Sequence, residues 1–69
     1  MKKYIIKDDF IKLGQLLKAA DIVQSGGEAK ELILDGQVTV NGAVELQRGK
    51  KIHAGDIVSC NGQEIKVEQ

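Results

Sequence analysis

The 69-residue sequence has no proline, no tryptophan and only one residue each of cysteine, histidine, tyrosine and phenylalanine. A single cysteine, Cys60, cannot form a disulfide within the chain. Together with His53 it offers too few soft ligands for a tetrahedral zinc site, so we expect no metal and no other cofactor. No apolar run approaches the roughly 20 residues of a membrane span, and no signal peptide follows the N-terminus. We therefore expect a cytoplasmic protein with no membrane partner.

The charge balance argues against a chain that coats nucleic acid by bulk charge. Ten basic residues face ten acidic ones, which gives a formal net charge of zero. A local basic patch can still bind, because the distribution of charge matters more than its sum. The length and a hydrophobic fraction of 42% suffice for one small core. We expect a single domain over residues 1–69.

The first half of the sequence has the apolar spacing of a helix. Asp8 or Asp9 is placed to cap this helix, which would continue to about residue 20. Five apolar residues recur at the helical period and predict one buried stripe: Phe10, Leu13, Leu16, Leu17 and Ala20. A short edge strand is predicted before the helix, over residues 3–7.

A second helix has a clear start signal. Ser25 to Glu28 has the pattern of a capping box, in which the serine oxygen accepts the backbone N–H of Glu28 and the glutamate reaches back. Gly36 lies where a left-handed C-terminal cap belongs, so the helix is predicted over about 26–35. Two helices joined by about five residues should pack as a pair.

The period changes to two after the second helix, which predicts strands. Asn41-Gly42 and Asn61-Gly62 are typical of two-residue hairpin turns, because both residue types tolerate a positive φ. In the first hairpin such a turn would place Val38 opposite Glu45, so we expect a bulge or a longer loop there.

The second hairpin has matched faces. Its turn would place Val58 opposite Ile65, with Cys60 and Val67 on the same face. The order of elements is then a weak strand, two helices and at least three strands. This order predicts a small α+β domain, with a helix pair followed by antiparallel hairpins.

Catalytic residues are hard to place in this sequence. Cys60 lies on the inward face of a predicted hairpin, where a buried apolar role is expected. His53 lies in a basic segment, and helix capping accounts for the two aspartates at positions 8 and 9. The sequence therefore indicates no nucleophile with a general base within reach, and we expect a protein without enzymatic activity.

A basic segment is the more informative feature. No acidic residue lies between positions 46 and 55, where Arg48, Lys50 and Lys51 cluster near His53. This loop is predicted to contact nucleic acid phosphates, the alternative being a solvated turn. On an ideal helix Lys12 and Lys18 would lie about 240° apart, so both could not centre one face. With only two aromatic residues, recognition of RNA backbone and shape is favoured over stacking of single strands.

The ordered set of motifs resembles a known family. The motifs that carry the resemblance are Lys12-Leu13-Gly14-Gln15-Leu16-Leu17-Lys18, Ser25, Glu28-Ala29-Lys30, Ile33, Gly36, Val38, Val40-Asn41-Gly42 and Gly55-Asp56-Ile57. Over about residues 11–58 this set resembles the S4-like RNA-binding domain, which carries the αL-like RNA-binding motif. The run from Gly14 to Lys18, with residues 24–30, is most similar to the small stand-alone bacterial members of the YaaA/YbcJ type.

The resemblance implies that RNA is bound by the helix pair and the following hairpin. The residues expected on that surface are Lys12, Lys18, Ser25, Lys30, Gln37 and Asn41. The glycine-flanked helix start at Gly26 and Gly27 would let a phosphate approach the backbone. Larger relatives usually have arginine where this chain has Gly26, and often Arg-Leu-Asp where it has Lys12-Leu13-Gly14. These differences imply weaker affinity, partly replaced by the cluster of Arg48, Lys50 and Lys51.

We therefore expect a monomeric, non-catalytic RNA-binding protein whose partner is ribosomal RNA, another structured RNA or a ribosomal particle. The alternative is a protein-interaction adaptor with the same fold and little affinity for RNA. The zero net charge and Gly26 favour that alternative.

Overall fold

A computed structural model describes all residues, 1–69, and shows two helices beside short strands. No helix in it is long and apolar enough to cross a membrane. The elements in chain order are β1 (Lys2–Ile5), β2 (Ile11–Lys12), α1 (Leu13–Ala19), α2 (Gly26–Leu34), β3 (Val38–Val40), β4 (Ala43–Val44), β5 (Lys51–Ile52), β6 (Ile57–Cys60) and β7 (Gln63–Glu68). The predicted α+β class is confirmed.

The strands form two sheets. The larger has the order β1-β7-β6-β3-β4, in which β1 pairs parallel to β7 and the other neighbours are antiparallel. The smaller contains β2 and β5 alone. Alternate residues of β3, β6 and β7 are buried and share one core with both helices. The core is formed by fifteen residues and contains no buried polar or charged side chain.

The second hairpin has the predicted register. Val58 pairs with Ile65, while Cys60 and Val67 are buried on the same face. The predicted strand at residues 3–7 is present as β1, shifted to Lys2–Ile5 and lying at the sheet edge. Its parallel pairing with β7 joins residues more than sixty positions apart, as in Lys2 with Ile65.

The bulge predicted for the first hairpin is absent. Val40 pairs with Ala43 across a two-residue turn, and the N–H of Glu45 donates to the carbonyl of Val38 at 3.0 Å. Both residues of β4 are exposed, so this strand has no buried face that a bulge would need to realign. The turn alone sets the register, with φ of 52° at Asn41 and 87° at Gly42.

Helix α1 begins later than predicted. It starts at Leu13, and neither Asp8 nor Asp9 caps it, because the preceding residues form β2 and pair with β5. The chain at Lys12 is still extended, with φ −74° and ψ 145°. Phe10 therefore lies outside the helix and is half-buried rather than part of the core.

Helix α2 begins and ends as predicted. The N–H of Glu28 donates to Ser25 Oγ at 3.2 Å, and Glu28 Oε1 accepts the N–H of Gln24 at 2.8 Å. The two contacts hold the helix start from both sides. Gly36, with φ 77°, follows the C-cap residue Asp35 in the left-handed conformation.

Candidate nucleic-acid interface

The helix pair and the predicted basic loop meet around one open concavity of about 380 Å³. Three of its lining residues are cationic, and none is acidic or hydrophobic. We call this site the basic concavity, and it is lined by Lys12, Gly14, Gln15, Lys18, Gly26, Arg48 and Gly49. Its cations come from two stretches of the chain, around α1 and in the basic loop, and Gly26 adds the start of α2.

Lys12 and Lys18 both line the basic concavity, although on one regular helix they could not both centre one face. Lys12 instead precedes α1 with extended backbone, so its side chain does not follow the helical period. The N–H of Lys12 is held by Gln15 Oε1 at 3.4 Å. The late helix start therefore brings the two lysines to one site.

Arg48 reaches the concavity by crossing the start of α1. Two backbone bonds tie the loop to the helix, from Leu13 N–H to the Lys50 carbonyl at 2.8 Å and from Gly14 N–H to the Arg48 carbonyl at 3.0 Å. A Cβ at Gly14 would lie 2.6 Å from Arg48 Cγ, closer than atoms can approach. Gly14 thus makes room for the arginine side chain.

Gly14, Gln15 and Gly49 were not among the site residues expected from the sequence. The available signal was Gly14, at the position where the resemblance implied an aspartate in larger relatives. The structure gives its physical reason, because an aspartate there would occupy the space of the Arg48 stem.

The N-terminus of α2 also borders the basic concavity, through Gly26. The N–H groups of Gly26 and Gly27 have no acceptor within the protein, as expected for the first turn of a helix. The carboxylate of Glu28 is engaged with the backbone of Gln24. Ser25 and Gly27 lie at this helix start but do not line the concavity.

Lys50 and Lys51 are placed apart from Arg48. They line a separate hollow of about 340 Å³, together with Asn41, Glu45 and other residues. The side chain of Asn41 is used within the protein, since its Oδ1 accepts the N–H of Ile57 at 2.9 Å. Its Nδ2 donates to Asp56 at 3.0 Å. Asn41 therefore ties the first hairpin turn to the start of β6.

Asp56 lines the same hollow, and its carboxylate is hydrogen-bonded there. Burial alone would raise its pKa and is the largest single influence. Hydrogen bonds from the His53 N–H and from Asn41, with the electrostatic influence of nearby His53 and Lys50, outweigh burial and leave the pKa of Asp56 below its usual value. The carboxylate accepts the His53 N–H at 2.8 Å, and His53 Nδ1 lies 4.0 Å away.

The remaining predicted residues lie outside the basic concavity. Lys30 is exposed on α2, and Gln37 Nε2 donates to Asp35 Oδ2 at 3.3 Å. The predicted residues that the structure brings together are Lys12, Lys18, Gly26 and Arg48. Those that it places elsewhere are Ser25, Gly27, Lys30, Gln37, Asn41, Lys50 and Lys51.

Cys60 has the buried environment predicted for it. It is 2% exposed, and burial raises the pKa of its thiol. The neutral thiol packs in the core as a small apolar group.

Comparison with known proteins identifies the family. A family model described as the S4 domain matches residues 4–68. The chain belongs to the S4-domain family, and the resemblance found in the sequence is confirmed.

Two small bacterial proteins are similar over most of their length. The "Probable ribosome maturation protein RlbA" of Bacillus subtilis (strain 168) is 44% identical over 57 residues, covering 83% of this chain and 80% of that protein. The "Putative RNA-binding protein YbcJ" of Escherichia coli (strain K12) is 43% identical over 61 residues, covering 88% and 87%. The solution structure of E. coli YbcJ matches with a TM-score of 0.78 and 38% identity, over 100% of this chain and 89% of that one. That structure is described as revealing an αL motif involved in RNA binding.

Proposed function

We propose that this protein binds structured RNA through the basic concavity, that it does so without catalysis, and that its target is ribosomal RNA. The observation that carries the proposal is the convergence of Lys12, Lys18 and Arg48 in a concavity free of acidic and apolar residues. Membership of the S4-domain family and the similarity to YbcJ support RNA as the ligand.

The basic concavity suits the phosphates of a folded RNA. Arg48 offers a planar fork that pairs with phosphate oxygens, and Lys12 and Lys18 add point charges on flexible stems. The unpaired N–H groups at the start of α2 add donors beside these cations. Because the charges are concentrated at one place, the site can attract phosphate although the whole chain is neutral.

The lining of the concavity favours binding over chemistry. It contains no hydroxyl, thiol, imidazole or carboxylate group. The one thiol of the chain is in the core, and His53 lies beside Asp56 in a different hollow. The site therefore offers no pairing of a hydroxyl or thiol nucleophile with a general base.

Ribosomal RNA is the target that the similarity to RlbA favours. The name of that protein refers to ribosome maturation. Contacts to phosphate fix position and affinity but carry no sequence information. The choice of target would then depend on RNA shape. In the alternative adaptor function, the concavity would contribute little to RNA affinity.

The proposal can be tested with two triple variants of equal charge. Lys12→Gln, Lys18→Gln and Arg48→Gln together remove the cations of the concavity. Replacing Lys30, Lys50 and Lys51 by glutamine is the matched control, because each triple changes the formal net charge from zero to −3. Both proteins are first checked for folding by circular dichroism. Affinity for ribosomal RNA fragments is then measured at several salt concentrations.

The concavity variant should lose most of its affinity. Its log–log salt dependence should become less steep by about 0.7–0.9 for each phosphate contact that is lost. The control should retain most of the slope. Equal losses in both variants would point to bulk charge instead of a site, and a wild-type affinity that is flat with salt would favour the adaptor function.

A further inference from the structure

A second concavity lies beside the first and has a different character. Its volume is about 440 Å³, and six of its nine lining residues are hydrophobic. Both aromatic residues of the chain, Tyr4 and Phe10, line it together with Ile5. Ile5 is 59% exposed and lies beside these rings, so the groove presents a contiguous apolar surface rather than one isolated side chain. We call this the aromatic groove.

The aromatic groove adjoins the basic concavity. Gln15, on α1, lines both, so the two sites meet at this residue. Phe10 also links the groove to the basic loop, since Lys51 Nζ lies 4.8 Å from its ring centroid and the His53 ring lies 6.2 Å away. A ligand that fills one site therefore comes into reach of the other.

The charges of the two sites differ in a way that matches the two halves of a nucleotide. The basic concavity carries three cations and no carboxylate, as a phosphate requires. The groove carries one cation and one carboxylate, Lys7 and Asp8, which balance each other. A phosphate gains little there, whereas a neutral base can stack on a ring and hydrogen-bond to Asp8 or Gln15 at its edge.

We propose that the aromatic groove receives one unpaired nucleobase of the RNA whose phosphates lie in the basic concavity, an inference that rests on the proposed function. The bound RNA is then not a continuous duplex. It has a bulge, a loop or an end from which a base can turn out of the stack. Because both aromatic residues of the chain line this one groove, the chain provides a single place for a base.

The test compares two RNA duplexes that differ only in one unpaired adenosine. We expect the wild-type protein to bind the bulged duplex more tightly. Phe10→Leu should weaken binding to the bulged duplex by roughly fivefold or more, the lower end of the effect of losing one base stack. Phe10→Tyr should keep the preference for the bulged duplex because it keeps an aromatic ring at position 10. Neither change should alter the salt slope, since no phosphate contact is removed.

A second pair of variants keeps the test decisive if Phe10→Leu fails to fold. Ile5→Glu places a carboxylate in the groove at an exposed position. Leu34→Glu makes the same substitution at a position that is 62% exposed and outside the groove. Only Ile5→Glu should lower the preference for the bulged duplex. With 2-aminopurine in the bulge, binding should change the emission in the wild type and in Leu34→Glu, but not in Ile5→Glu.

The outcomes separate this inference from the proposed function. Salt-dependent binding with no preference for the bulge, or a preference that Phe10→Leu and Ile5→Glu leave intact, would overturn the inference alone. The groove would then be open to another class of partner, such as a peptide. If the wild type bound neither duplex in a salt-dependent manner, both the inference and the proposed function would be wrong.

Discussion

The substitution Gly14→Ala should affect stability and RNA binding differently, because one added methyl group acts on α1 and on Arg48 separately. Alanine is favoured over glycine within a helix by up to about 1 kcal/mol. The new Cβ, however, would lie 2.6 Å from Arg48 Cγ and 3.2 Å from its Cδ, so the arginine stem must move. Leaving a preferred rotamer costs about 0.5–1.5 kcal/mol. The free energy of unfolding should therefore lie between about 0.5 kcal/mol above and about 1.5 kcal/mol below the wild-type value.

The backbone at this position should remain in place. The carbonyl of Arg48 would lie 3.6 Å from the new Cβ, an ordinary contact. The hydrogen bond from Gly14 N–H to that carbonyl, 3.0 Å long, can therefore persist. The side chain of Arg48 therefore moves while the backbone stays, and its guanidinium leaves the basic concavity. RNA affinity should fall, and the salt slope should become less steep by about 0.7–0.9, the value for one phosphate contact.

A double-mutant cycle with Arg48→Ala isolates the contact. Alanine at position 48 has no Cγ or Cδ. In the Arg48→Ala protein, Gly14→Ala should therefore add its full helical preference to the free energy of unfolding and cause no further change in RNA affinity. The coupling in the free energy of unfolding should be about 0.5–1.5 kcal/mol, measured by urea denaturation. Wild-type RNA affinity in Gly14→Ala, or additivity of the two substitutions in both assays, would refute the role given to Gly14.

Three further predictions follow from the hydrogen bonds of the fold. Ser25→Ala should cost about 1 kcal/mol and lower the melting temperature by about 4–8 °C, with Ser25→Asp as the cap-preserving control; an unchanged melting curve would contradict the observed cap. Asn41→Gly keeps the positive φ of the turn but removes both side-chain hydrogen bonds, so the free energy of unfolding should fall by about 1–2 kcal/mol. A melting temperature at or above wild type would show that these bonds contribute nothing. The lowered pKa of Asp56 means that its carboxylate contributes stability above its unfolded pKa, and that this contribution is lost as the pH falls through the folded pKa. Asp56→Asn should accordingly destabilise the protein at about pH 7 and differ less from wild type at about pH 2, as measured by denaturant melts; a constant difference would refute this.

Features set by neighbouring residues were predictable from the sequence. The capping box at Ser25, the left-handed Gly36 and the hairpin register of Val58 with Ile65 each depend on short spacings. The α+β class follows from the change of apolar period after α2. Cys60 was placed in the core because the same hairpin pattern fixes its face.

Features set by distant pairing were not predictable. The apolar spacing of residues 10–13 suits a helix as well as a strand, and pairing with β5 decides between them. That pairing delays α1 until Leu13, whose N–H is held by the carbonyl of Lys50. The composition of the basic concavity depends on the same strand pairing, because Lys12 is then extended and outside the helix, and the Arg48 side chain lies against Gly14. The cations were therefore predictable from the sequence, but which of them meet at one site was not.

The most direct test of RNA binding at the basic concavity is a titration of the isotope-labelled protein with a ribosomal RNA fragment, followed by amide chemical shifts. The account predicts that the largest shifts fall on the residues that line the concavity. Gly14, Gly26 and Gly49 are the clearest reporters, because they come from α1, α2 and the basic loop. The amides of Lys30 and Leu34, two residues of α2 that do not line the concavity, should change least. Shifts centred on α2 around Leu34, or no shifts at low salt, would contradict the account.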